Sequence, residues 1–212
     1  MDSKNDKEPL VRRKKEKASL KCVIVGDGGV GKTSLLVSYL MDGFPNDYIP
    51  TAFDNYQVSV EVDKKVCTVE FCDTAGQEDF DSLRPLCYSS TDVFIVCFSV
   101  VSPTSFSNVA SKWIPEIREY NPKAPIILVG THSDMKNCLK VLLELSEKNR
   151  EPVTIKKAQG LAKKTRCICY VETSSVTQKN LKTVFDEAIA NGMWPPKTSK
   201  AFDLRGCVCG VM

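Results

Sequence analysis

The chain has 212 residues, 42% of them hydrophobic and 26% charged, and carries a net charge of +3 with a single histidine. That length and balance suit one soluble globular domain with tails, and the charge is too small to argue for a nucleic-acid partner. No apolar run reaches the roughly 20 residues that span a bilayer, and ten cysteines without one Cys-x-x-Cys pair give no structural zinc site beside a lone histidine.

Residues 1–19 read as a basic extension, solvated and without a packed core. Its segment "LVRRKKEK" (10–17) sets five cations against Glu16 and can touch an anionic membrane. The first twenty residues lack the apolar stretch of a signal peptide, so a reducing compartment is expected and disulfides are not. Cys22, Cys72, Cys97 and Cys167, beside apolar runs, then read as small buried hydrophobes.

"LKCVIVGD" (20–27) predicts a buried strand, and "TSLLVSYLMDGF" (33–44) has helical spacing. "YQVSVEVD" (56–63) and "VCTVEFCD" (66–73) predict a hairpin joined by Lys64 and Lys65. "VFIVCFSV" (93–100) and "APIILVG" (124–130) are continuous apolar runs, as parallel strands covered on both faces require. Between them Ser102 and Pro103 open a helix whose apolar stripe is Phe106, Val109, Ala110, Trp113, Ile114 and Ile117, with a kink expected at Pro115. Leu181, Val184, Phe185, Ala188 and Ile189 form a second stripe. Alternating strands and helices predict an α/β sheet with helices on both faces, and ligands in such sheets bind beyond the carboxyl ends of the strands.

The residues that follow each strand carry the chemistry. "GDGGVGKTS" (26–34) fits G-x-x-x-x-G-K-[ST] between a strand and a helix. Its glycines let backbone N–H groups converge on phosphates, aided by the helix N-terminus. Lys32 is placed to reach the β- and γ-phosphates and the Thr33 hydroxyl to ligate Mg²⁺. In "DTAGQ" (73–77), Asp73 can hold Mg²⁺ through water, Gly76 can offer its N–H to the γ-phosphate, and Gln77 can orient water. In "GTHSD" (130–134), Asp134 can accept from guanine N1–H and the 2-amino group, donors that adenine lacks there. Backbone N–H groups of "ETSSV" (172–176) can meet the guanine carbonyl. Residues 42–56 contain no arginine, so that loop cannot supply an arginine finger in cis.

"GDGGVGKTS", "DTAGQ", "THSD" and "ETSSV", in that order, resemble the Ras superfamily of small GTPases over residues 20–192. The likeness implies a Ras-like phosphate-loop fold: a six-stranded, mostly parallel sheet with one antiparallel edge strand and helices on both faces. "FPNDYIPTAFDNY" (44–56) is similar to the Rac and Cdc-type effector loop, and 137–153 falls where Rho proteins carry an extra helix. Cys72, "KAPIILVGT" and "KVLLEL" are most like the Wrch branch. The likeness implies a GTP-hydrolysing switch with GTP contacts at Gly28, Gly29, Val30, Gly31, Lys32, Thr33, Ser34, Phe44, Tyr48, Thr51, Asp73, Gly76, Thr131, His132, Asp134, Ser174, Ser175 and Val176. Lys32, Thr51 and Gln77 would act in catalysis. Thr33, Thr51 and Asp73 would hold Mg²⁺, with Thr51 also meeting the γ-phosphate and letting go after hydrolysis. Phe53, Asp54 and Tyr56 match effector positions. His132 stands where lysine is usual, as a lid on the base, with pH sensing open to an imidazole. Ser175 and Gly29 each replace a common alanine, where only backbone is needed.

The end of the chain, "RGCVCGVM", places Cys209 fourth from last, a prenylation pattern with Gly210 in the aliphatic slot, and Cys207 can take palmitate. The implied partners are exchange factors, GTPase-activating proteins, and Rac/Cdc-type effectors such as kinases, with a membrane reached through the tail and no nucleic acid. A monomer is expected at the cytoplasmic face of plasma membrane or endomembranes, with a cytosolic pool. Two alternatives stay open: a nucleotide kinase, which leaves Asp134 unexplained, and a fast-exchanging, GTP-loaded scaffold.

Overall fold

The computed structural model describes residues 19–44, 53–62 and 64–195. Its six strands are β1 (Ser19–Val25), β2 (Phe53–Val62), β3 (Lys65–Thr74), β4 (Val93–Ser99), β5 (Ile126–Thr131) and β6 (Cys169–Glu172). They form one sheet in the order β2-β3-β1-β4-β5-β6. Only β2 runs antiparallel, against β3; every other pairing is parallel. The expected architecture, with its single antiparallel edge strand, is the one found.

Strand periodicity divides the apolar residues between two cores. Cys22 and Ile24 of β1 face one side, where α1 (Lys32–Met41) and α6 (Leu181–Met193) bring Leu35, Leu36, Val184 and Phe185. Val23 and Val25 face the other, where the helical stretch from α2 (Pro103–Asn108) into α3 (Ile114–Tyr120) brings Val109, Trp113 and Ile117, and α5 (Ile155–Lys164) brings Ala158 and Ala162. Every residue of β4 and β5 is buried, which explains their unbroken hydrophobicity. Cys22, Cys72, Cys97 and Cys167 are all buried within these cores, as expected of small apolar side chains.

Three local expectations need correction. Lys65 is not part of the hairpin connection: it opens β3 and pairs with Val62 of β2. The helix after β4 is disturbed before Pro115, not at it. Residues Val109–Trp113 form a π turn in which the Ile114 N–H donates to the Val109 carbonyl. Proline has no N–H for the helical ladder, so the wider turn takes up the fault one turn upstream, and Pro115 enters α3 in its first turn. Ala110, on that π turn, is exposed and leaves the apolar stripe. In the 137–153 segment, α4 (Leu139–Glu147) forms an extra surface helix seated on Leu145.

The sheet order puts β1 between β3 and β4, so the chain leaves β1 where crossovers diverge to either side. A crevice is topologically required beyond that carboxyl end.

Candidate functional site

The loop from β1 into α1 occupies this crevice. Gly31, with φ 85, turns the chain into α1 without a side-chain cap, so no capping side chain competes for the first-turn N–H groups at the crevice. Lys32 is buried at 6% exposure, and its Nζ donates to the carbonyls of Gly26 and Asp27, both at 2.8 Å. Two of three ammonium hydrogens thus hold the loop's shape. Burial lowers the Lys32 pKa, and Asp73 opposes that shift.

At the end of β3, Asp73 is 1% exposed and its Oδ2 accepts from Thr33 Oγ1 at 2.6 Å. The two expected magnesium ligands of separate motifs therefore meet. Gly76 then crosses the phosphate loop so closely that a Cβ would lie 2.2 Å from the Gly26 oxygen and 2.5 Å from the Gly28 nitrogen. Only glycine permits this approach. Gln77 follows, its Cγ beside Gly28. Gly28, Gly29, Gly31 to Ser34 and Thr74 to Gln77 line one cleft. Val30 is buried in the core, and its carbonyl accepts from Thr131 Oγ1 at 2.6 Å.

The same hydroxyl reaches the Phe98 carbonyl at 3.0 Å, so Thr131 ties β5, β4 and the phosphate loop together. His132 sits in the left-handed region with φ 58. Burial lowers its pKa, against the opposing pull of Asp134. Asp134 is exposed at the rim. The next loop is fixed by the Thr173 N–H to the Gly130 carbonyl and the Ser133 N–H to the Thr173 carbonyl, at 2.8 and 3.1 Å. The Ser174 N–H is committed to the Lys179 carbonyl and its hydroxyl to the Thr177 N–H. Ser175 and Val176 lie further out, Val176 being exposed.

Phe44 is half exposed beyond α1. Phe53, Asp54 and Tyr56 all fall on β2, at the sheet edge. Asp54 is exposed, whereas Tyr56 packs partly against the α1–α6 core. Tyr48, Thr51, Cys207 and Cys209 lie outside the described residues.

Several residues around the cleft carry no motif signature. Asp27 accepts from Trp113 Nε1 and Asn108 Nδ2, both at 2.7 Å, which anchors the phosphate loop to the π turn. Arg84, fully buried, stacks on Trp113 at 4.6 Å and binds the carbonyls of Ala75 and Gln77. Lys136 and Tyr170 both bind Glu172. The apolar spacing marked Trp113 as core. Its indole N–H, needing a partner once buried, was the one available hint of a polar role.

Phosphate loop, buried acid and base-side loops meet at the topological switch point, which defines a phosphate-loop nucleotide-binding protein. A Ras family model matches residues 21–193. The Rho-related GTP-binding protein RhoV of Rattus norvegicus is 56% identical over 175 residues, covering 82% of this chain and 74% of that protein. Its counterpart in Homo sapiens matches to the same extent, and that of Bos taurus is 55% identical over the same length. The chain belongs to the Ras family, as a Rho-type small GTPase.

Proposed function

We propose the following division of labour in a protein that, as a Rho-type small GTPase, binds GTP and hydrolyses it as a signalling switch. The carrying observation is the convergence of Thr33, Asp73 and Gly76 on one cleft, with the Thr33–Asp73 bond at 2.6 Å. Gly28 to Ser34 cradle the phosphates through backbone N–H groups, and Lys32 supplies a positive charge to them. The Thr33 hydroxyl and Asp73 carboxylate are hard oxygen donors of the kind Mg²⁺ takes, and they fit it. When bound, Mg²⁺ would neutralise charge developing on the phosphates. Thr51 completes that set and reports the γ-phosphate.

Gly76 directs its N–H at the γ-phosphate, and Gln77 aligns water for in-line attack. No arginine in 42–56 joins the transition state, so intrinsic turnover is slow and a partner's arginine accelerates it by about 10³–10⁵. Asp134 selects guanine, and His132, Phe44 and Tyr48 surround the nucleotide. With the N–H groups of Thr173 and Ser174 already committed, Ser175 and Val176 supply the donors for the guanine carbonyl.

Rho-type GTPases work with exchange factors, GTPase-activating proteins and effectors. Asp54 and the edge position of β2 support strand-adding Rac/Cdc-type effectors, kinases among them. Among the described residues no helix is long and apolar enough to cross a membrane. Peripheral association through lipid on Cys209 and Cys207 follows from the tail pattern, two chains being needed for stable anchoring. We assign a monomeric GTPase domain at 20–192, between a basic extension and a tail.

The deciding experiment loads purified protein with GTP and adds a Rho-type GTPase-activating protein. Wild type hydrolyses faster on addition, while Gln77→Leu binds GTP and does not respond. A Gln77→Leu protein that still responds would overturn the assignment of Gln77.

A further inference from the structure

His132 replaces a long flexible cation with a short rigid ring, and the ring has found in Ser99 a partner that no motif contains. Its Nδ1 lies 2.9 Å from Ser99 Oγ, at the last residue of β4. Its opposite edge faces the phosphate loop: a Cβ built on Gly31 would sit 3.2 Å from Nε2. The imidazole therefore fills the gap between the end of β4 and the loop that binds phosphates.

Ser99 is itself held rigidly. It is 5% exposed and pairs with Thr131 across β4 and β5. Its N–H donates to the buried Ser105 hydroxyl at 3.1 Å, and its carbonyl accepts from the Ser102 N–H at 2.9 Å. Thr131 grips the phosphate loop at Val30 and His132 abuts it at Gly31, so consecutive residues of the base-side loop brace consecutive residues of the phosphate loop.

We propose that Ser99 is a positioning residue for nucleotide retention: its hydroxyl fixes the His132 imidazole against Gly31 and so locks the base-side loop to the phosphate loop. The hydroxyl can donate to Nδ1 or accept from it, so in either tautomer the short bond holds the ring in one orientation, whereas Thr131 Oγ1, at 3.4 Å, is a longer contact. A ring without that bond rotates about its side-chain torsions, and the brace loosens. This rests on the GTP-binding reading and adds a residue to it. Release of nucleotide requires the two loops to part, so the brace acts on the off-rate.

The test uses the full-length GDP-loaded protein and four forms: wild type, Ser99→Ala, His132→Ala and the double variant. One hydrogen bond corresponds to about a 2- to 12-fold change in rate. Each single variant is expected to release GDP faster by that factor, and the double no faster than the faster single. Ser99→Thr, which keeps the hydroxyl, restores slow release. Additive singles, or Ser99→Ala release equal to wild type, overturn the proposal. Because the chain has one histidine, its imidazole ¹⁵N spectrum contains one ring. By ¹⁵N relaxation the wild-type ring is expected to be as immobile as the backbone, and the Ser99→Ala ring mobile. A mobile ring in wild type overturns the proposal even if a variant fails to fold. Wild type that retains no guanine nucleotide would instead sink the underlying GTP reading.

Discussion

Arg84 donates from Nη2 to the backbone oxygen of Gln77 at 3.1 Å, from a side chain with no exposed surface. Its Nε holds the Ala75 oxygen at 3.0 Å, so the carbonyls of both residues flanking Gly76 are held by one guanidinium. Nη1 reaches both oxygens of Glu116, which also accepts from Tyr88. Replacing Arg84 with Leu strands the Glu116 carboxylate with its cation gone. Breaking a buried pair this way costs about 3–5 kcal/mol. Urea unfolding of GDP-loaded Arg84→Leu is expected to show a loss of that size. A loss below 1 kcal/mol would mean the pair does not hold the loop.

The indole of Trp113 offers a gentler perturbation. Its Nε1 donates to Asp27 at 2.7 Å while its ring packs in the core. Trp113→Phe keeps an aromatic ring and deletes the donor to a charged acceptor, a bond of about 1.5–3 kcal/mol. Denaturant melts should record that decrease. In an Asp27→Asn background the same substitution should cost less, since the acceptor is no longer charged.

Gly76→Ala tests the close crossing of the two loops. The new methyl would meet the Gly26 oxygen at 2.2 Å, a backbone atom that cannot swing aside. Overpacking of this kind costs about 1–3 kcal/mol, and relief requires the "DTAGQ" segment to lift from the phosphate loop. Single-turnover assays with preloaded GTP are expected to show hydrolysis reduced at least 10-fold. Turnover at the wild-type rate would show that the crossing is not needed for chemistry.

His132 sets an acid-side limit. Burial lowers its pKa in the fold, with Asp134 opposing, so the unfolded ring takes up a proton more readily than the folded one. Stability is therefore full above the ordinary histidine pKa of about 6.5 and is lost as pH falls below it. The slope reaches at most about 1.4 kcal/mol per pH unit for one proton. His132→Gln removes this slope while leaving the carboxylates untouched. The difference in unfolding free energy between wild type and His132→Gln, followed from pH 7.5 to 5, is expected to drift against wild type as acidity rises. A constant difference would place the ring in solvent.

The order of strands and helices, the phosphate loop, and the acids at Asp73 and Asp134 were legible in the chain. These depend on local rules: hydrophobic period, glycines before a lysine, polar residues just after apolar runs. The spacing of "GDGGVGKTS" alone placed Thr33 and Lys32 at the start of α1. Tertiary structure decided what lies far apart in sequence and close in space. Asp27 and Trp113 are 86 residues apart, and Ser99 and His132 are 33 apart. No periodicity encodes such pairs, because a hydrogen bond between distant residues depends on sheet order and register, which local patterns leave open. The π turn before Pro115 is similar: proline announces a missing donor, but packing of Val109 and Trp113 against the sheet decides where the helix absorbs it.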